Sequence, residues 1–135
     1  MDGWLAQACR HQNVWLVNAI MSLPADMTGL RVVFCTFPDA DVARRVATQL
    51  IEEKLVACVN LLPATESIYR WQGKVETATE VLAILKTVAS CLTELEKRLV
   101  ELHPYEVPEI IALEPAAVSA AYRAWLIESV SPPLV

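Results

Sequence analysis

The 135 residues of this chain predict an α+β domain built on one antiparallel sheet, and three observations carry that expectation. Segments of strand and helix periodicity follow one another as strand, helix, strand, strand, helix, strand and a last helix. The two middle strands are long and meet at the turn-prone pair Gln72-Gly73, so they form a hairpin. Its return arm carries Val81, Ala83 and Leu85 on one face and Leu82 and Ile84 on the other, which makes both faces apolar.

Each element has its own signal. Leu30 to Phe37 is rich in β-branched and aromatic residues and is ended by Pro38, so it reads as the first strand. Asp39 can accept hydrogen bonds from early backbone N–H groups and caps the helix that follows. There Val42, Ala43, Val46, Ala47, Leu50 and Ile51 recur on one face, while Arg44, Arg45, Gln49, Glu52 and Glu53 mostly face away, and the helix ends near Lys54. Val56 to Trp71 is the outgoing arm of the hairpin, interrupted at Pro63-Ala64, and Lys74 to Val88 is the return arm. Ser90 is a good N-cap for the second helix, whose Leu92, Leu95, Leu99 and Leu102 share a side. Pro104 stops it, because a proline disfavours helical backbone at the residue before it. Ile110 to Leu113 is the fourth strand, and Ala116 to Val130 carries a third helix with Val118, Tyr122, Trp125 and Leu126.

This order matches the split βαβ, ferredoxin-like βαββαβ layout, with both crossover helices on one face of the sheet and here an extra C-terminal helix. The other face is then left uncovered. Because the strands are apolar on both sides, that face is expected to be buried by further copies of the chain in a closed symmetric ring.

Composition narrows the partners. Hydrophobic residues make up 55% of the chain and charged residues 20%, too apolar for one small core to hide, which again points to an interface. A net charge of -5 leaves no basic stripe for a phosphate backbone, so nucleic acid is not an expected partner and cations are. Cys9, Cys35, Cys58 and Cys91 form no CxxC pair and read as free thiols of a reducing cytoplasm, with no structural zinc site signalled. The apolar stretch from Val14 to Leu23 is too short to span a bilayer, and Ser22-Leu23-Pro24-Ala25 is a poor signal-cleavage site. Residues 1–27 therefore read as an extension, with Met21 or Met27 as alternative starts, and 28–135 as a single domain. No membrane association is expected.

The most concentrated chemistry lies in His103-Pro104-Tyr105-Glu106-Val107-Pro108-Glu109, where two prolines stiffen a segment bearing an imidazole, a phenol and carboxylates. At a helix end the imidazole sits beside free carbonyl groups, a place that favours a protonated or hydrogen-bonded ring. The segment reads either as a ligand site or as a helix stop leading into a strand. Lys86, an ammonium on a strand apolar on both sides, needs a carboxylate such as Glu80 or Glu109, or a bound anion. Tyr69 and Trp71 flank the hairpin tip, where such rings either seal a subunit interface or wall a pocket.

Three segments, Phe34-Cys35-Thr36-Phe37-Pro38-Asp39, Tyr69-Arg70-Trp71-Gln72-Gly73-Lys74 and His103 to Glu109, together closely resemble the CutA family of divalent cation tolerance proteins. The likeness runs from about Leu30 to Ser129 and includes Glu52 to Asn60, Glu80 and the pair Lys86-Thr87. The resemblance implies a ferredoxin-like homotrimer, related in shape to the PII signalling proteins and linked to copper and other divalent metals, with no established enzymatic activity. Metal ligands proposed in some relatives fall on Cys35 and His103; a further histidine of those relatives is Leu102 here, one soft donor fewer. Tyr69, Trp71, Glu80, Lys86, Tyr105 and Glu109 are the shared polar residues and form a candidate ligand cleft. No cofactor is expected to be required, with copper or another divalent metal as the candidate ligand. The alternative is a PII-like trimer that binds a small anion or metabolite between subunits.

Overall fold

The computed structural model describes residues 29–130, so the extension expected over residues 1–27 lies outside the described residues. Strand β1 spans Leu30–Phe37. Helix α1 follows over Ala40–Glu52, and the Asp39 carboxylate accepts the Val42 N–H at 2.9 Å as its N-cap. The helix closes in a left-handed turn at Lys54 (φ 59). There the Leu55 N–H reaches back to the Leu50 carbonyl and the Lys54 N–H to that of Ile51, both at 3.0 Å.

The hairpin arms are β2, Cys58–Trp71, and β3, Lys74–Val88. Gln72 (φ 49) and Gly73 (φ 79) are both left-handed, the pairing that a two-residue turn of matching twist requires. From the tip, Trp71 faces Lys74 and Thr65 faces Glu80, but beyond Pro63-Ala64 the register shifts so that Leu62 faces Leu82 and Cys58 faces Lys86. Two residues of β2 thus oppose one of β3, a β-bulge, with Ala64 at positive φ. The outgoing arm starts at Cys58, two residues later than its apolar pattern predicts.

The second helix differs at its start. Residues Ala89–Cys91 make a single 3-10 turn, and α2 spans Leu92–Leu102 with Cys91 at its N-cap and no side-chain cap bond. Ser90 is therefore not the cap: the chain tightens directly out of β3, and the α-helix begins only after that turn. Strand β4 is short, Ile111–Leu113, and α3 spans Ala120–Ser129. Residues 116–118 are not helical despite their alanines; Val118 packs against the Trp125 cluster instead, so tertiary burial overrides propensity.

The sheet order is β2-β3-β1-β4 with every neighbouring pair antiparallel. This is the ferredoxin-like α+β arrangement. Val33, Cys35 and Phe37 of β1 and Val81, Ala83 and Leu85 of β3 point into one core with Val46, Leu50, Leu95 and Leu99 of the two crossover helices. Burial of each such leucine stabilises the fold by about 1.5–3 kcal/mol. A bidentate pair of Arg98 with Glu53, both contacts 2.7 Å, ties α2 to the end of α1. Helix α3 closes a second cluster of Leu30, Ala57, Val88, Cys91, Trp125, Leu126 and Ile127.

Among the described residues no layer covers the opposite face. Strand alternation and register put Val32 and Phe34 of β1, Leu82 and Ile84 of β3, Leu62 of β2 and Ile111 and Leu113 of β4 on it. Leu62, Ile111 and Leu113 remain 40%, 47% and 46% exposed.

Candidate functional site

The candidate site forms where β1 ends and β4 does not reach. Strand β4 pairs β1 only at Val32 to Phe34, so the carbonyl of Thr36 is left for another donor. Pro104 supplies it by ending α2: His103 leaves the helix with extended backbone (φ -80, ψ 138). Its Nε2 donates to the Thr36 carbonyl at 2.7 Å, and its Nδ1 accepts the Tyr105 N–H at 3.0 Å. A carbonyl only accepts and an amide only donates, so the ring is the neutral Nε2–H tautomer.

The sequence argument placed this ring beside helix carbonyls; its partner is instead a strand carbonyl 67 positions away. The ring is buried, stacks on Phe37 at 4.6 Å between centroids, and meets Tyr105 at 4.7 Å. Burial lowers the His103 pKa, while the Thr36 carbonyl and the Glu80 charge pull it the other way.

Beside it the Tyr105 hydroxyl donates to Glu80 Oε2 at 2.8 Å. Glu80 is the one carboxylate buried among the described residues, at 9% exposure. Burial, then the hydrogen bond to Glu80 and its charge, raise the Tyr105 pKa, so the phenol stays protonated and donating.

The remaining candidates divide. Cys35 is fully buried in the core, and burial, with the charges of Glu109 and Glu80 adding, pushes its thiol up to about 12. Without a metal it is a protonated thiol at neutral pH, so ligation would have to displace that proton inside the core. Tyr69 lies near enough to Tyr105 to affect its ionisation. Glu109 is exposed, and Trp71 stands at the hairpin tip, 61% exposed.

Lys86 belongs elsewhere. Six positions along β3 from Glu80, about 20 Å at the rise of an extended strand, it approaches the Cys58 sulfur at 3.8 Å and pairs with neither Glu80 nor Glu109. Burial raises the Cys91 thiol, so the helix start does not activate it. Among the described residues, no group of three or more His, Cys, Asp or Glu side chains could hold a metal ion. Nor is any described helix long and apolar enough to cross a membrane. Sequence reasoning missed the two backbone partners of His103, which have no side-chain signature; the proline after the histidine is the only trace of them.

Comparison with known proteins agrees with this framework. Residues 31–129 match the family model described as CutA1 divalent ion tolerance protein. The chain is 47% identical over 98 residues to the divalent-cation tolerance protein CutA of Thermus thermophilus, covering 73% of this chain and 95% of that one. It is 42% identical over 95 residues to the chloroplastic protein CutA of Arabidopsis thaliana, covering 70% of this chain and 52% of that longer protein. The crystal structure of CutA1 from Oryza sativa superposes with a TM-score of 0.77 at 40% identity, covering 80% of this chain and 99% of that one.

Proposed function

Because this chain belongs to the CutA1 divalent ion tolerance family, we propose that it takes part in divalent-cation tolerance as a homotrimer. The ligand cleft lies between subunits and is centred on Glu80 and Tyr105. The observation that carries the reading is the buried Glu80 carboxylate, held by one hydroxyl on Oε2. Such a group supports a partner that is a cation or a hydrogen-bond donor, since a buried charge is costly unless compensated. The uncovered apolar face supports the trimer, since closing a ring of copies would bury it.

The described residues of one chain assemble no group of three or more such donors for a cation, which favours a site completed by a neighbouring subunit. The protein binds rather than catalyses: among the described residues, the Cys/His pair near the site offers a protonated thiol and a hydrogen-bonded ring. The free thiols Cys35, Cys58 and Cys91 fit a reducing compartment such as the cytoplasm.

Calorimetric titration of the oligomer with zinc and with copper tests the reading. Saturable heat should be lost in Glu80→Gln and kept in Cys35→Ser. Heat that survives Glu80→Gln would remove Glu80 from the site. A second reading, a PII-like sensor of a small anion, is favoured by Lys86, whose ammonium has no carboxylate partner among the described ion pairs. Anion binding there would weaken with added salt and vanish in Lys86→Met.

A further inference from the structure

We infer that His103 is a positioning residue rather than a metal donor: it brackets Tyr105 to the central strand and so aims the Tyr105 hydroxyl at Glu80. A neutral imidazole has one free lone pair, and it is through such a lone pair that the ring binds a metal. In His103 that lone pair, on Nδ1, is taken by the Tyr105 N–H, and the proton on Nε2 is taken by the Thr36 carbonyl. Ligation through Nδ1 would strip the Tyr105 N–H of its acceptor. Ligation through Nε2 would move the proton to Nδ1, where it would face another donor, and would bring the cation against the Thr36 carbonyl in place of the hydrogen bond.

The surroundings oppose both changes. The ring is 7% exposed and stacked on Phe37, and Pro104 restricts the backbone between it and Tyr105. The second soft donor is no better placed, since Cys35 is fully buried as a thiol. What the bracket does accomplish is geometric. Tyr105 sits beyond the helix end, in a segment with no strand pairing of its own, yet its hydroxyl is 2.8 Å from a carboxylate on β3. One ring fixes the start of that segment to β1 through two hydrogen bonds and a stack. The inference rests on the Glu80 cleft only in making Glu80 the group being served.

The test uses the full-length oligomer labelled with 15N in histidine, its ring nitrogens observed by NMR at neutral pH during addition of zinc chloride. The His103 signals are assigned by their loss in His103→Asn. They should be those of the neutral Nε2–H tautomer and should stay so in excess zinc. Hydrogen exchange of the Tyr105 amide should speed by about tenfold or more in His103→Ala. It should recover in His103→Asn, whose side-chain oxygen falls near the Nδ1 position.

A ring nitrogen that moves to a metal-bound signal, or Tyr105 protection unchanged by His103→Ala, would overturn the assignment. If the alanine variant does not fold, the ring spectrum and the asparagine variant still decide. Failure of the Glu80 reading is separate: zinc heat would then survive Glu80→Gln while the ring signals stay as they are.

Discussion

Removing the Tyr105 hydroxyl isolates the contact on which the candidate site depends. In Tyr105→Phe the ring and its packing on His103 persist, and only the 2.8 Å bond to Glu80 is lost. A hydrogen bond to a charged group contributes about 1.5–3 kcal/mol net, and its loss leaves the carboxylate buried without that donor. Glu80 retains 9% of its exposure, enough for water to compensate in part, so the lower half of that range applies, about 1.5–2 kcal/mol. That is roughly a ten- to thirtyfold fall in the ratio of folded to unfolded protein.

Glu80→Gln keeps an acceptor but loses the charge, and should cost about half as much. Guanidinium unfolding of the parent, both single variants and the double variant, at one protomer concentration, gives the coupling energy. A value near 1 kcal/mol is expected. A coupling indistinguishable from zero would show that the bond does not form in solution, and the reasoning about the cleft would fail with it.

Three further outcomes follow from other parts of the molecule. The Arg98 bonds hold the Glu53 carboxyl from an ordinary 4.5 down to about 2. The folded value lies below the unfolded one, so this stabilisation is complete above about pH 4.5 and is lost as pH falls toward 2. Both partners are about a quarter exposed, which limits the effect to about 1 kcal/mol or less; Arg98→Met should flatten that stretch of the stability-pH curve measured by thermal unfolding. Leu99→Ala empties a fully buried position between α2 and the sheet and should cost about 2–5 kcal/mol in guanidinium unfolding; a loss under about 1 kcal/mol would mean the core is not packed this way. Ile84→Asp puts a charge at the centre of the uncovered face and should shift the species seen by light scattering to monomer, whereas an unchanged oligomer would place the interface elsewhere.

How much of this was legible depends on whether local chemistry or long-range register decided each feature. Strand β1 and the turn at Gln72-Gly73 fall where the sequence puts them, because Pro38, Asp39 and Gly73 act on their immediate neighbours. The interruption at Pro63-Ala64 was also legible, but its consequence was not. Without the extra residue, Lys86 would face Val59 instead of Cys58, so the partner of the ammonium depends on a bulge more than twenty residues away.

The start of α2 was misread for the opposite reason: Ser90 has the right chemistry for a cap, but it lies inside a 3-10 turn. For His103, the proline fixed where the helix ends; the fourth strand was legible too, but not that its pairing with β1 stops at Phe34 and leaves the Thr36 carbonyl for the ring to bind. The family resemblance suggested an imidazole and a thiolate for a soft metal. Burial removed the thiolate, and two backbone groups occupied the imidazole.

X-ray absorption at the zinc edge on the zinc-loaded protein tests the account most directly, because it reads the elements around the metal. The account predicts a first shell of oxygen that is lost in Glu80→Gln, with no sulfur scatterer. A sulfur shell near 2.3 Å that disappears in Cys35→Ser, with nitrogen that disappears in His103→Asn, would contradict it and return the metal to the buried thiol and ring.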